Sequence, residues 1–146
     1  KISEKRNGDC RAALDLMLYS AQKAEEFGRD KIQDSDIDWA YPVVVKLIEQ
    51  ERLTKLDLNQ FNVLYSLFKD GAKTMQSGFH TYISLNKNDK KKLRSTAYFE
   101  VIKYVSNQGL IEKKSQEGTK DLMIEFKIKE ELIEEEFQRR QIKIGQ

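Results

Sequence analysis

Apolar side chains recur at helical spacing through the first two thirds of the chain. The first stripe occupies positions i, i+3, i+4, i+7 and i+10 of a helix and consists of Leu14, Met17, Leu18, Ala21 and Ala24. This spacing predicts a helix that is capped by Asp9 and ends at Gly28. A second helix is expected to begin at Asp34 or Ser35. Pro42 should kink or break it, with a further helical piece reaching about residue 53.

After Leu56 the same spacing predicts three more helices. Asp57 can cap the first of them, and Ser77 can cap a short second one. The third should occupy residues 95–108 and follows a polar, strongly basic connection with the sequence NKNDKKKLRST. Its expected buried stripe consists of Tyr98, Val101, Ile102 and Val105.

Residues 121–128, DLMIEFKI, change to a period of two. Every second residue from Leu122 to Ile128 is apolar, which is typical of a strand. The segment LIEKKS should pair with it through a turn that places Gly118 where a positive φ is tolerated. An acidic helix, KEELIEEEFQRRQ, follows. The sequence therefore predicts a mainly α fold with a small β-hairpin, in the order of a winged helix. In such a fold the third helix enters the major groove of DNA, and the hairpin, or wing, contacts the neighbouring backbone or minor groove.

Composition limits the classes of function. A chain of 146 residues can form one ordinary domain or two small ones. Its net charge of only +2 requires that any nucleic-acid site arise from local clustering of cations. Cys10 is the only cysteine, which excludes an internal disulfide framework and fits a reducing compartment. The sequence has neither a signal peptide nor a long apolar run, so we expect a cytoplasmic protein with no membrane partner.

Enzymatic chemistry finds little support in the sequence. The single histidine, His80, has no second ligand of suitable type nearby, which argues against a metal site. No combination of serine, histidine and acid suggests a catalytic triad, and there is no Gly-rich phosphate loop with lysine. We therefore expect no catalysis, no metal and no cofactor in this chain.

Three groups of residues form the predicted DNA interface. Cations just before the third helix would neutralise phosphates, and this lysine loop comprises Lys90, Lys91, Lys92 and Arg94. The outward face of the third helix would reach phosphates and base edges, with the aromatic ring on a thymine methyl; this face comprises Ser95, Thr96, Phe99 and Lys103. The wing would contact backbone or minor groove through Lys113, Lys114, Gln116, Thr119 and Lys120. For each group the alternative is a solvated surface without a partner.

The stretch from residue 7 to residue 40 also resembles a known family. Its sequence, NGDCRAALDLMLYSAQKAEEFGRDKIQDSDIDWA, is similar to the sensor-2 helix and lid helix of AAA+ replication initiators, in particular the archaeal origin-recognition proteins of the Orc/Cdc type. In that family the lid begins Gly-Asp-x-Arg and continues Ala-Leu-Asp-Leu. The matching residues here are Gly8, Asp9, Arg11, Ala13, Leu14, Asp15 and Leu16. The segments NVLYSLF, YVSNQGLIEKK and EGTKDLMIEF resemble the family's winged helix, so the resemblance covers nearly the whole chain.

The resemblance implies a helical lid remnant of an AAA+ module at 1–54 and a winged-helix DNA-binding domain at 55–146. Arg11 would be the sensor-2 residue that touches the terminal phosphates of ATP or ADP, bound with Mg²⁺ in the full-length parent. The P-loop, the acidic Mg²⁺ motif and the arginine finger are missing, so we expect a C-terminal fragment in which Arg11 is idle and solvated. The implied partners are double-stranded origin DNA and other initiator subunits or the replicative helicase, on an archaeal chromosome.

Two other functions stay open at this point. A winged helix can serve as a protein-interaction module, and the acidic run Glu134, Glu135 and Glu136 would not help on DNA. A transcription regulator is the other alternative, although such a protein has no need for a sensor-2 helix.

Overall fold

The described elements follow the predicted order. A computed structural model describes residues 10–71 and 73–144; Gly8 and the predicted cap Asp9 lie outside these residues. The elements are α1 (Cys10–Glu26), α2 (Asp34–Thr54), α3 (Leu58–Lys69), α4 (Met75–Leu85), α5 (Ser95–Asn107), β1 (Ile111–Lys114), β2 (Met123–Phe126) and α6 (Glu130–Ile144). The chain divides into two compact units between residues 51 and 52, whereas the sequence places the domain boundary between 54 and 55.

The first unit is built around a small apolar cluster between two helices. Ala12 of α1 and Val44 of α2 are its buried members. Its partly buried members are Leu16, Tyr19, Tyr41, Val45 and Ile48. α1 ends after Glu26, and Gly28 follows with a φ of +67°, a conformation that glycine adopts without steric penalty. The predicted end of this helix is thus confirmed.

Pro42 does not divide α2. The helix runs from Asp34 to Thr54 with the proline inside it, so of the predicted kink or break the break is wrong. A proline in a helix interior removes one backbone hydrogen bond and crowds the preceding turn. Here Ala40 and Val44, two residues to either side, are both fully buried, so packing on both sides holds the two halves in one helix.

A partly buried ion pair holds the start of α2. Both terminal guanidinium nitrogens of Arg29 donate to the carboxylate of Asp36 at 2.6 Å, and the amide of Gln33 donates to the same carboxylate at 2.8 Å. Asp36 is 1% exposed. The hydrogen bonds from Arg29, followed by that from Gln33, lower the pKa of Asp36 below its ordinary value.

We expect the first unit to lose stability in acid through Asp36. Because the pKa of Asp36 is lowered by folding, its contribution is complete at neutral pH and is lost as the pH falls below about 4. Asp36→Asn should therefore lower the urea midpoint at pH 7 and have a much smaller effect at pH 3. The fluorescence of Trp39, the only tryptophan, measures unfolding of this unit. Asp30→Asn, at an exposed position, is the control; an Asp36→Asn effect that stays constant with pH would contradict the assignment.

The caps of α3 and α4 show one confirmed prediction and one wrong one. The amide of Gln60 donates to Asp57 and the amide of Asp57 donates to Gln60, a capping box at the predicted residue. α4 is capped by Thr74, whose hydroxyl accepts the amide of Ser77 at 3.1 Å. Ser77 is thus inside the helix, where its hydroxyl donates to the buried carboxylate of Asp70 at 2.6 Å.

The hairpin is tied to the helices along one edge. β1 and β2 pair antiparallel, with Ile111 opposite Phe126 and Lys114 opposite Met123. On the other side of β2, Thr74 forms a bridge with Met123, and the amide of Met75 donates to the carbonyl of Leu122 at 2.9 Å. The segment before α4 therefore acts as a short third strand, a feature that the sequence did not predict.

The second unit has one apolar core beneath the winged helix. α3, α4, α5, the hairpin and α6 all contribute; its largest fully buried members are Tyr82, Tyr98, Phe61, Leu53, Leu64, Leu67, Ile102, Leu110 and Ile133. On α6, Phe137 stacks on Tyr65 at 4.1 Å between ring centroids. Arg140 donates to the carbonyls of Leu53 and Leu56, which leaves those buried acceptors satisfied. Among the described helices, none has the length and apolar character needed to cross a bilayer.

Candidate nucleic-acid interface

The packing of α5 leaves its polar face outward. Tyr98, Ile102 and Val105 are 0% exposed and belong to the core, as the predicted stripe requires. The positions on the opposite side of the helix are exposed and comprise Ser95, Thr96, Glu100, Lys103 and Asn107. Because a helix turns by about 100° per residue, burying one stripe fixes the orientation of the other. The face predicted for DNA is therefore available to a ligand.

Phe99 lies at the flank of this face and is partly buried against the core. Its ring packs edge-on against Tyr98 at 5.4 Å between centroids and lies 6.1 Å from Phe79. The exposed part borders an open groove of about 440 Å³ between α5 and the wing. The other residues of the groove are Met75, Gln76, Thr119, Lys120, Asp121 and Leu122.

The lysine loop is anchored at its base and exposed at its charges. The amide of Leu93 donates to the hydroxyl of Tyr82 at 2.9 Å, and the amide of Lys91 donates to Asp89 at 2.8 Å. The predicted cations of this loop, Lys90, Lys91, Lys92 and Arg94, are all exposed. These hydrogen bonds hold the backbone of the loop. The charged side chains lie at the surface, so they can contact a polyanion without breaking a buried interaction.

The three wing lysines, Lys113, Lys114 and Lys120, are all exposed, but they differ in their contacts. Lys114 forms an ion pair with Glu125, and the hydrogen bonds from Lys114 and then Lys127 lower the pKa of that carboxylate. Contact with phosphate would have to compete with this pair.

Gln116 and Thr119 shape the turn itself. The amide side chain of Gln116 donates to the carbonyl of Asp121 at 3.1 Å, and the hydroxyl of Thr119 accepts the amide of Asp121 at 3.1 Å. Gly118 has a φ of +77°, as the predicted turn requires. Sequence reasoning missed Asp121 because nothing local indicates that residues 45 positions apart meet, as Asp121 and Gln76 do.

Positive charge is concentrated in the second unit. Residues 1–51 contain 8 basic and 11 acidic residues, a net charge of −3, whereas residues 52–146 contain 18 and 13, a net charge of +5. Half of those 18 cations fall between residues 87 and 120, the segment with the lysine loop, α5 and β1. The net charge of the whole chain is therefore close to zero although residues 87–120 form a locally basic region.

Arg11 is exposed but has a partner. Its guanidinium donates to the carboxylate of Glu51 at 2.9 Å, with 70% of the Arg11 side chain accessible. The exposure of Arg11 agrees with the expected solvated position, while α2 also brings an acid within reach of it; its contact with a nucleotide phosphate stays a prediction. An exposed pair of this kind is weak, so it can be exchanged for a stronger anion.

The element order, the outward face of α5 and the attached hairpin define the second unit as a winged helix. Three solved archaeal structures share the fold of nearly the whole chain. Orc1 of Aeropyrum pernix in complex with DNA has a TM-score of 0.72 and 17% identity over 94% of this chain. Orc2 of Aeropyrum pernix, in ADPNP–ADP complexes, has a TM-score of 0.53 and 19% identity over 95%. Cdc6p of Pyrobaculum aerophilum has a TM-score of 0.51 and 20% identity over 91%.

These similarities establish the fold. The chain spans only 37–38% of the length of each of the three proteins. No protein-family model matches the sequence, and no curated protein matches it significantly. The resemblance to archaeal Orc/Cdc proteins that the sequence indicated is confirmed at the level of architecture, for both the helical hairpin and the winged helix.

Proposed function

We propose that this chain is the C-terminal part of an Orc/Cdc-type replication initiator and that its winged helix binds origin duplex DNA. The observation that carries the proposal is the exposed polar face of α5, flanked by the lysine loop and the wing, on a fold shared with an initiator solved together with DNA. In this proposal the helix fits the major groove, the cation cluster contacts phosphates, and the hairpin contacts the adjacent backbone.

In this arrangement α5 enters the major groove. Thr96 and Phe99 meet bases, and Lys103 reaches the backbone. The lysine loop and Lys113 neutralise phosphates on either side of α5, and Lys120 does so from the wing tip. Glu100 repels phosphate except where it accepts a cytosine amine, which favours one register over others.

The first unit belongs, in this proposal, to the lid of a nucleotide-binding module. Arg11 would leave Glu51 and contact the terminal phosphates of ATP or ADP held with Mg²⁺ by the rest of the longer protein. Contacts with other initiator subunits or the replicative helicase would also be made by that longer protein.

Fluorescence anisotropy with a labelled duplex tests DNA binding directly. We expect affinity to fall steeply with salt, with a log–log slope of about −0.9 for each phosphate contacted. Five to seven contacts from the lysine loop, α5 and the wing correspond to a slope of roughly −4.5 to −6.3. The titration should be repeated from 50 to 300 mM salt with random and origin duplexes.

The same titration separates the rival functions. A protein-interaction module would show no steep salt slope with any duplex. A transcription regulator would bind DNA, but would show no preference for duplexes taken from replication origins.

A further inference from the structure

Asp121 holds the tip of the wing through three separate hydrogen bonds. Its carboxylate accepts the amide of Gln76 at 3.2 Å, its own amide donates to the hydroxyl of Thr119 at 3.1 Å, and its carbonyl accepts the side chain of Gln116 at 3.1 Å. The bonds to Thr119 and Gln116 shape the turn. The bond to Gln76 joins the turn to the start of α4, 45 residues away.

The bond to Gln76 completes the cap of α4. The first amides of a helix have no acceptor within the helix. Thr74 accepts the amide of Ser77, and Asp121 accepts the neighbouring amide of Gln76. A carboxylate at this end of a helix also interacts favourably with the helix dipole. The wing therefore supplies part of the cap of the helix that packs against α5.

We propose that Asp121 is a positioning residue, which fixes the wing tip against α4 so that Lys120 and Thr119 stand beside α5 before DNA arrives. Lys120 and Thr119 line the same groove as Phe99 of α5 and Gln76 of α4, so the anchor sets the distance between the wing tip and α5. A free hairpin tip would lose conformational entropy on binding, and an anchored tip has already lost it. This role rests on the proposed function.

Two substitutions separate positioning from charge. Asp121→Asn removes the negative charge but keeps an oxygen that can accept the Gln76 amide, and Asp121→Ala removes both. If Asp121 only repels DNA, both variants bind more tightly than the parent and equally well. If it positions the wing, Asp121→Ala binds about fivefold more weakly than Asp121→Asn, the factor that corresponds to one lost hydrogen bond.

Lys120→Ala supplies the readout that a general loss of stability would not produce. In the Asp121→Asn background it should make the salt slope less negative by about 0.9, one phosphate contact. In the Asp121→Ala background it should change the slope by clearly less, because the wing tip has lost its side-chain bond to Gln76 and keeps only its backbone contacts, such as that between Met75 and Leu122. Asp121→Leu, which is similar in size to asparagine but has no acceptor, replaces the alanine variant if that variant does not fold.

Hydrogen exchange in the free protein checks the anchor without DNA. The Gln76 amide should exchange faster in Asp121→Ala than in Asp121→Asn, because only the first variant leaves it uncapped. Equal affinities for the two variants, with a full Lys120 effect in both, would overturn the positioning role while DNA binding stands. A parent protein that shows no salt-dependent binding to duplex overturns the proposed function, and this role with it.

Discussion

Gly78→Ala is expected to destabilise the winged-helix unit by about 2 kcal/mol. A Cβ at this position would lie 2.5 Å from Cδ2 of Leu67 and 2.7 Å from the hydroxyl oxygen of Tyr98. Both neighbours are 0% exposed, so neither can move aside into solvent. Overpacking of this kind costs up to about 3 kcal/mol, and the higher helix propensity of alanine offsets about 1 kcal/mol of it.

Urea unfolding followed by far-UV circular dichroism and by Trp39 fluorescence measures this effect. The destabilisation should appear in the circular dichroism transition, while Trp39 fluorescence reports on the first unit, to which Trp39 belongs. Gly71→Ala is a matched control, since a Cβ at Gly71 would meet nothing within 4 Å. Equal stability of the two variants would show that α3, α4 and α5 are not packed as closely as the structure has them.

Tyr98→Phe should recover part of the loss. The Tyr98 hydroxyl is buried, which raises its pKa, and Ser66 lies near it without a well-formed hydrogen bond, so removal of the hydroxyl alone costs little. In the Gly78→Ala background the same change removes one of the two close contacts. The two substitutions should therefore be non-additive, with the double variant more stable than Gly78→Ala alone.

Local periodicity predicted the elements that carry the site. The apolar stripe of α5 identified its buried side, and the positions opposite that stripe identified its outward face. The stripe consists of Tyr98, Val101, Ile102 and Val105. Three of the four are fully buried, and the opposite positions are exposed. The alternation around Ile124 and the turn at Gly118 predicted the hairpin in the same way. Such patterns are enough to orient an element, because once one face of a helix or strand is buried, the opposite face must point outward.

Contacts between distant segments could not be predicted in this way. Pro42 indicates a kink or a break by its own chemistry, whereas the burial of Ala40 and Val44 on either side of it favours a continuous α2. The partner of Arg11 and the anchor of the wing at Asp121 depend on residues 40 and 45 positions away. Propensity and spacing describe a segment alone, whereas these contacts exist only once the segments have packed together.

Reversing the charge of two residues in the lysine loop should produce the largest effect on DNA binding. Lys91→Glu with Lys92→Glu removes two exposed cations next to α5 and adds two charges that repel phosphate. Loss of two phosphate contacts makes the salt slope less negative by about 1.8 and weakens binding on the order of 50-fold at 100 mM salt. The weakening should be the same for origin and random duplexes, because phosphates carry no sequence information.

Lys46→Glu with Lys129→Glu is the matched control for this double reversal. Both lysines are exposed, lie outside the lysine loop, α5 and the wing, and give an identical change in net charge. The net charge of the protein changes equally in the two double variants, so a difference between them reports charge that lies close to the bound DNA. Anisotropy titrations should show a small loss for the control and the large loss for the lysine-loop variant. Equal losses would mean that net charge alone drives binding, and the lysine loop would then have no place in the interface.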